Sequence, residues 1–173
     1  MPSIFYVTIV GSKQGKIQGD VTIKGREDKI QGLDFWYEAE VLGSAGQAGG
    51  QLHRGPVVLT KAWDSATPKL LQAFAENETL NTVLFEFWKP TASGAEVMYQ
   101  TVELDDAVIS RLHWHLAEGA SAKAPGTSAD AHRRTSEQHP AELEDISFSF
   151  QTMQVHNNIK GTAAADSWAL SHV

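Results

Sequence analysis

The chain has no cysteine among its 173 residues. Disulfides, thiolate nucleophiles and cysteine-held zinc are excluded together. Positive charge is also scarce: 14 Lys and Arg stand against 21 Asp and Glu, a formal net charge of −7. The basic residues are scattered, with Arg133-Arg134 the only adjacent pair. Such a surface repels phosphate backbones and anionic headgroups, so nucleic acid is not an expected partner. No apolar run approaches the length of a membrane span, and no membrane insertion is expected. The opening residues, Met1-Pro2-Ser3-Ile4-Phe5-Tyr6-Val7, show neither a basic leader nor a small-residue cleavage site. Any export is therefore expected to bypass the general secretory signal.

What the chain does have is β-forming sequence. Its length fits one domain, residues 1–173, large enough to bury a core of its own. Residues 3–10 are β-branched and aromatic and predict a first strand ended by Gly11, with a short strand at 21–23. From residue 29 the pattern alternates. Leu33, Phe35, Tyr37, Ala39 and Val41 fall on one face; Asp34, Trp36, Glu38 and Glu40 fall on the other. Residues 43–50 hold four glycines and predict a flexible loop, taken as about 43–53. A strand over 57–63 follows, then a helix with Thr67 as N-cap, Pro68 at its first position, and Leu70, Leu71, Phe74 and Ala73 as its apolar stripe. Residues 82–88 and 95–104 read as a hairpin. Asp105-Asp106 breaks the second strand, and 107–114 resumes it.

Residues 117–139 lack large apolar side chains and read as a second flexible loop. In a last long strand over 143–156 the apolar phase shifts after Thr152, which suggests a bend at a β-bulge. Residues 159–173 read as a polar tail. The class is all-β: a β-barrel of two packed, mostly antiparallel sheets with one short flanking helix.

No catalytic constellation emerges. His113 and His115 share a strand face, but a metal site needs a third ligand, and the other histidines sit mostly in loops. Trp114 between them is expected to point inward. Residues 11–17 imitate a phosphate loop, but Ile17 stands where a hydroxyl is required and no helix follows. Asp105-Asp106 and Glu142, Glu144 and Asp145 are read as solubilising strand ends rather than as an acid–base pair. No nucleophile elbow is present. No catalytic residue, metal or cofactor is expected. Trp36 stands out, because alternation places an indole among Asp34, Glu38 and Glu40 on the wet face, as at a contact surface.

Several motifs stand in a fixed order: Gly15-Lys16-Ile17-Gln18-Gly19, Leu33-Asp34-Phe35-Trp36 and Lys61-Ala62-Trp63-Asp64-Ser65-Ala66-Thr67-Pro68. Tyr99 to Ile109, Glu144 to Phe150, and Gly161-Thr162 before Asp166-Ser167-Trp168 follow. Together they resemble the haemolysin-coregulated protein (Hcp) family, tube subunits of the bacterial type VI secretion system. The resemblance implies a non-enzymatic subunit that forms a homohexamer. Its rings would stack into a tube driven by a contractile sheath, with a tip spike, a baseplate and secreted effectors as further partners. It also implies a bacterial cytoplasmic stage followed by secretion to the extracellular space or a target cell. Two surfaces are candidates for assembly. Gly43, Ser44, Gly46, Gln47, Gly49 and Gly50 would form a ring-stacking loop, and Asp34, Trp36 and Glu38 a face lining the channel or a subunit interface. The alternatives are a small all-β ligand-binding or carrier module and, less well supported, a cupin-like metal enzyme centred on His113 and His115.

Overall fold

A computed structural model of the chain describes residues 4–43, 50–116 and 142–168. The strands are β1 (Ile4–Gly11), β2 (Gly15–Ile17), β3 (Ile30–Gly32), β4 (Asp34–Leu42) and β5 (Gln51–Ala62). The helix α1 (Thr67–Ala75) precedes β6 (Leu80–Pro90), β7 (Glu96–Leu116), β8 (Glu142–Ser149), β9 (Thr152–Asn157) and β10 (Thr162–Ser167). Hydrogen bonds link the strands in the order β2-β1-β6-β7-β8-β5-β4, with β3 also on β1, β9 on β7 and β10 on β9. Every ladder is antiparallel.

The expected barrel is corrected by this order. The sheet is folded into two layers but does not close. β3 and β4 are consecutive, and the Leu33 amide donates to the Thr60 carbonyl between them. That single bond is not a ladder, so among the described residues β2 and β4 remain the ends of the path.

The fold of the sheet onto itself is made by β7, 21 residues long. Its first half pairs with β6 and β9, and its second half with β8. The change falls at Asp105-Asp106, where the sequence predicts a break. The strand instead continues through a kink, with Asp106 at φ 48°. A non-glycine residue there costs of order 1 kcal/mol, and the turn of the sheet is what it provides. The expected long strand over 143–156 divides for the same reason. β8 pairs in one layer and β9 in the other, and the phase shift marks the crossing at Phe150-Gln151.

Between the layers lies one apolar core of β1, β5, β6, β7 and β8 side chains, including Val7, Leu59, Phe85, Leu104, Ile146 and Phe148. Phe85 meets Phe148 edge-on across the layers at 6.3 Å. Phe35 packs edge-on against both Phe85 and Phe87.

Five further expectations are corrected. Residues 21–23 are not a strand: the Val21 amide and carbonyl bond to Lys29 and Asp28 within their own loop, leaving no partner strand. Residues 51–53 belong to β5 rather than to a flexible loop, because Leu42 and Gln51 are already paired. The polar tail contains β10, whose Thr162–Ser167 register against β9 is unbroken. The helix N-cap is Ala66, not Thr67. Its apolar stripe is also rotated: Leu70 and Ala73 are buried, whereas Leu71 and Phe74 are exposed. No helix among the described residues is long and apolar enough to cross a membrane.

Candidate functional site

The two faces of the layer made by β4, β5, β8 and the end of β7 do different things. Alternation along β5 sends Val57, Leu59 and Lys61 inward, and along β8 sends Glu144, Ile146 and Phe148 inward. Lys61 pairs with Glu144 in register, so two opposite charges enter the protein side by side. Both are completely buried.

Lys61 Nζ lies 2.5 Å from Glu144 Oε1 and 2.8 Å from Asp64 Oδ1, and donates to the Ala62 carbonyl at 2.8 Å. The Thr67 hydroxyl donates to Glu144 Oε1 at 2.7 Å, and Trp114 Nε1 donates to Oε2 at 3.0 Å. The Lys-x-x-Asp-x-x-Thr spacing is thereby explained. It fastens the start of α1 to the sheet, and Thr67 serves that network instead of capping. Trp114 lies against Trp63 at 5.4 Å, half exposed rather than inward.

A second anchor holds the carboxy-terminal strand. Arg54 donates from Nε and Nη2 to the two carboxylate oxygens of Asp166, at 2.5 and 2.6 Å. These bonds hold the Asp166 carboxyl below its usual pKa, with burial opposing them. The guanidinium also stands over the Trp168 ring at 5.0 Å. Gly161 makes the preceding turn at φ 68°. The Gly-Thr and Asp-x-Trp elements therefore hold β10 in place. A third anchor is Glu78, buried and bonded to the backbone N–H groups of Lys13 and Gln14 and the Gln14 side chain. Burial pushes its carboxyl up, but the bonds from Gln14 and Lys13 together hold it below the usual value.

The outer face of the same layer carries the other functional candidates. Asp34, Trp36 and Glu38 are all exposed, Trp36 at 54%. Strand register places Trp36, Val58, Ser147 and Arg111 in one row, and Asp34, Thr60, Asp145 and His113 in the next. A shallow cavity of about 230 Å³ runs between Trp36 and Arg111, His113 and Asp145. His113 and His115 stack at 5.0 Å, and Asp145 from β8 faces both. The third donor absent from the local sequence is supplied across the sheet.

Of the glycine-rich segment, Gly43 and Gly50 are described, and both are exposed. A Cβ on Gly50 would fall 2.5 Å from the Leu42 carbonyl oxygen, so only glycine fits. Ser44, Gly46, Gln47 and Gly49 lie outside the described residues, as does the loop expected over 117–139. Exposed Val41, Leu42 and Leu52 flank the segment.

Residues 6–156 match the family model described as "Type VI secretion system effector, Hcp". The chain belongs to the Hcp family. It is a structural tube subunit of the type VI secretion system rather than an enzyme. It is 29% identical over 174 residues to the "Major exported protein" of Pseudomonas aeruginosa, a match that covers 94% of each chain. The fold overlaps the crystal structure of an Hcp protein with a TM-score of 0.80 at 22% identity, covering 96% of this chain and 98% of that one. It overlaps the secreted protein Hcp3 of Pseudomonas aeruginosa with a TM-score of 0.73 at 25% identity, covering 96% and 99%. The buried charge network and the Arg54–Asp166 clamp, to which the motif residues Lys61, Asp64, Thr67, Glu144 and Asp166 contribute, are structural devices of this fold.

Proposed function

We propose that six copies of the chain close into a ring and that rings stack into a tube propelled by a contractile sheath, carrying or chaperoning effectors. The observation that supports this reading best is the Hcp match across residues 6–156, joined to fold overlap along nearly the whole chain. Head-to-tail contacts close into rings when the rotation permits. β4 offers an edge, and Asp34, Trp36 and Glu38 offer a face that either lines the channel or meets the neighbouring subunit.

The segment from Gly43 to Gly50, flanked by exposed Val41, Leu42 and Leu52, makes the ring-to-ring contact. The tip spike and baseplate meet the tube's ends, and the sheath meets its wall. The subunit folds as one domain, is held in the bacterial cytoplasm before firing, and leaves through the machine it belongs to. Light scattering and negative-stain imaging test the ring. A mass several-fold above 18.9 kDa, with ring images, is expected. A clean monomer across micromolar concentrations would sink the proposal.

A further inference from the structure

We propose that His113, His115 and Asp145 form a binding site for a divalent transition-metal ion of the zinc type. Two imidazoles and one carboxylate are a donor set that suits such ions, and water completes the coordination. The three are brought together by strand geometry. His113 and His115 are two apart on β7, so their rings leave the same face, and Asp145 is the residue paired with His113 on β8. Among the described residues these three alone gather donor atoms of this kind within 4.8 Å of one another.

The distances favour an ion over hydrogen bonds. Asp145 Oδ2 lies 3.4 Å from His113 Nδ1 and 3.6 Å from His115 Nδ1. Good N–H···O bonds fall at about 2.7–3.2 Å, so both contacts are long for that purpose. Ligands about 2.0–2.1 Å from a tetrahedral zinc stand about 3.3–3.4 Å apart, close to both values. His115 Nδ1 is buried and has no hydrogen-bond partner. An unpaired buried nitrogen is costly, and a metal ion would take its lone pair.

The carboxylate is already aimed. The Thr60 hydroxyl donates to Asp145 Oδ1 at 2.6 Å, leaving Oδ2 turned to the two rings. Such outer support is what metal-binding carboxylates require. The side chains of His113, His115 and Asp145 are 52%, 34% and 31% exposed, so an ion can enter from solvent. All three donors belong to one chain, and the site does not depend on ring formation.

Cobalt(II) and zinc(II), titrated into the purified protein at neutral pH, test the site. Tetrahedral cobalt gives an intense visible absorption band; calorimetry reads zinc. One ion per chain is expected. His113→Ala and Asp145→Asn should weaken binding at least tenfold, and Thr60→Val by roughly tenfold, the usual loss for an outer-shell partner. His53→Ala and His156→Ala should bind like the parent. His113→Gln, which keeps a polar side chain at a half-exposed position, guards against misfolding as the cause, with circular dichroism as the check. The proposal is overturned by absence of the cobalt band and of zinc heat at millimolar metal. It is equally overturned by binding that survives in folded His113→Gln and Asp145→Asn proteins.

Discussion

Replacing Lys61 by Met removes the one cation from a site where Glu144 is completely buried and the Asp64 side chain nearly so. The methionine fills much of the space, so little cavity is left. The cost comes from the carboxylate that stays behind, and removing one partner of a buried ion pair typically costs about 3–5 kcal/mol. Thr67 and Trp114 still donate to Glu144, which places the expected loss toward the lower end of that range. A domain of this size shifts by about 2–4 °C per kcal/mol, so Tm should fall by roughly 10 °C. Urea denaturation followed by tryptophan fluorescence gives the free energy. Protein concentration must be fixed, because assembly raises apparent stability. Lys61→Met with Glu144→Gln should recover more than half of the loss, since glutamine carries no charge, its oxygen can still accept from Trp114 Nε1, and its amide N–H can donate to the Thr67 hydroxyl oxygen. A single mutant within about 1 kcal/mol of the parent would refute the reasoning, as the charge would then matter little.

Two further outcomes are expected. Asp166 and Glu78 both have carboxyls held below their usual pKa in the folded protein, so the stability they add is present above the ordinary carboxylate range and is lost as pH falls through the lowered values. Melting temperature should therefore hold steady, as far as these groups are concerned, from about pH 7 to pH 5 and fall below about pH 4, with a shallower acid limb in Glu78→Gln. Trp36→Ala should cost under about 1 kcal/mol, because the indole is mostly exposed, whereas a buried tryptophan would cost ~3–5 kcal/mol. Intact rings that no longer retain effector would place Trp36 in the channel, dissociated rings at the subunit contact, and a large loss of stability would contradict its exposed position.

The sequence carried the strands whose residues alternate strictly. On β4 this holds from Asp34 to Tyr37, with Phe35 and Tyr37 toward the core and Trp36 toward solvent, but the register shifts between Tyr37 and Ala39, and Ala39 and Val41, expected on the buried face, are exposed. It did not carry β10, where alanines and polar residues are held by pairing with β9 and by the Arg54–Asp166 clamp, 112 residues apart. Nor did it carry Asp145 as a companion of the two histidines, since which strands lie side by side is a property of topology rather than of spacing. Lys61 and Glu144 are an intermediate case. Each stands on the inward phase of its own strand, and two opposite charges in such positions signal a buried pair once the strands are known to be neighbours. The rotated helix stripe has a similar cause. The Lys61 network fixes which side of α1 meets the sheet, and that leaves Leu71 and Phe74 outside.

The kinked β7 has a mechanical consequence. One peptide backbone runs through both layers, bonded to β6 and β9 before Asp106 and to β8 after it. A load applied to one layer reaches the other along covalent bonds and many ladder hydrogen bonds sheared at once. It does not have to pass through apolar contacts that can be pried open row by row. The same continuity ties the layers together on the β7 side, and opening them from the unclosed side, between β3 and β4, would separate Phe85 from Phe148. A tube subunit thus has its longest strand running through both layers, where a force on one is carried directly into the other.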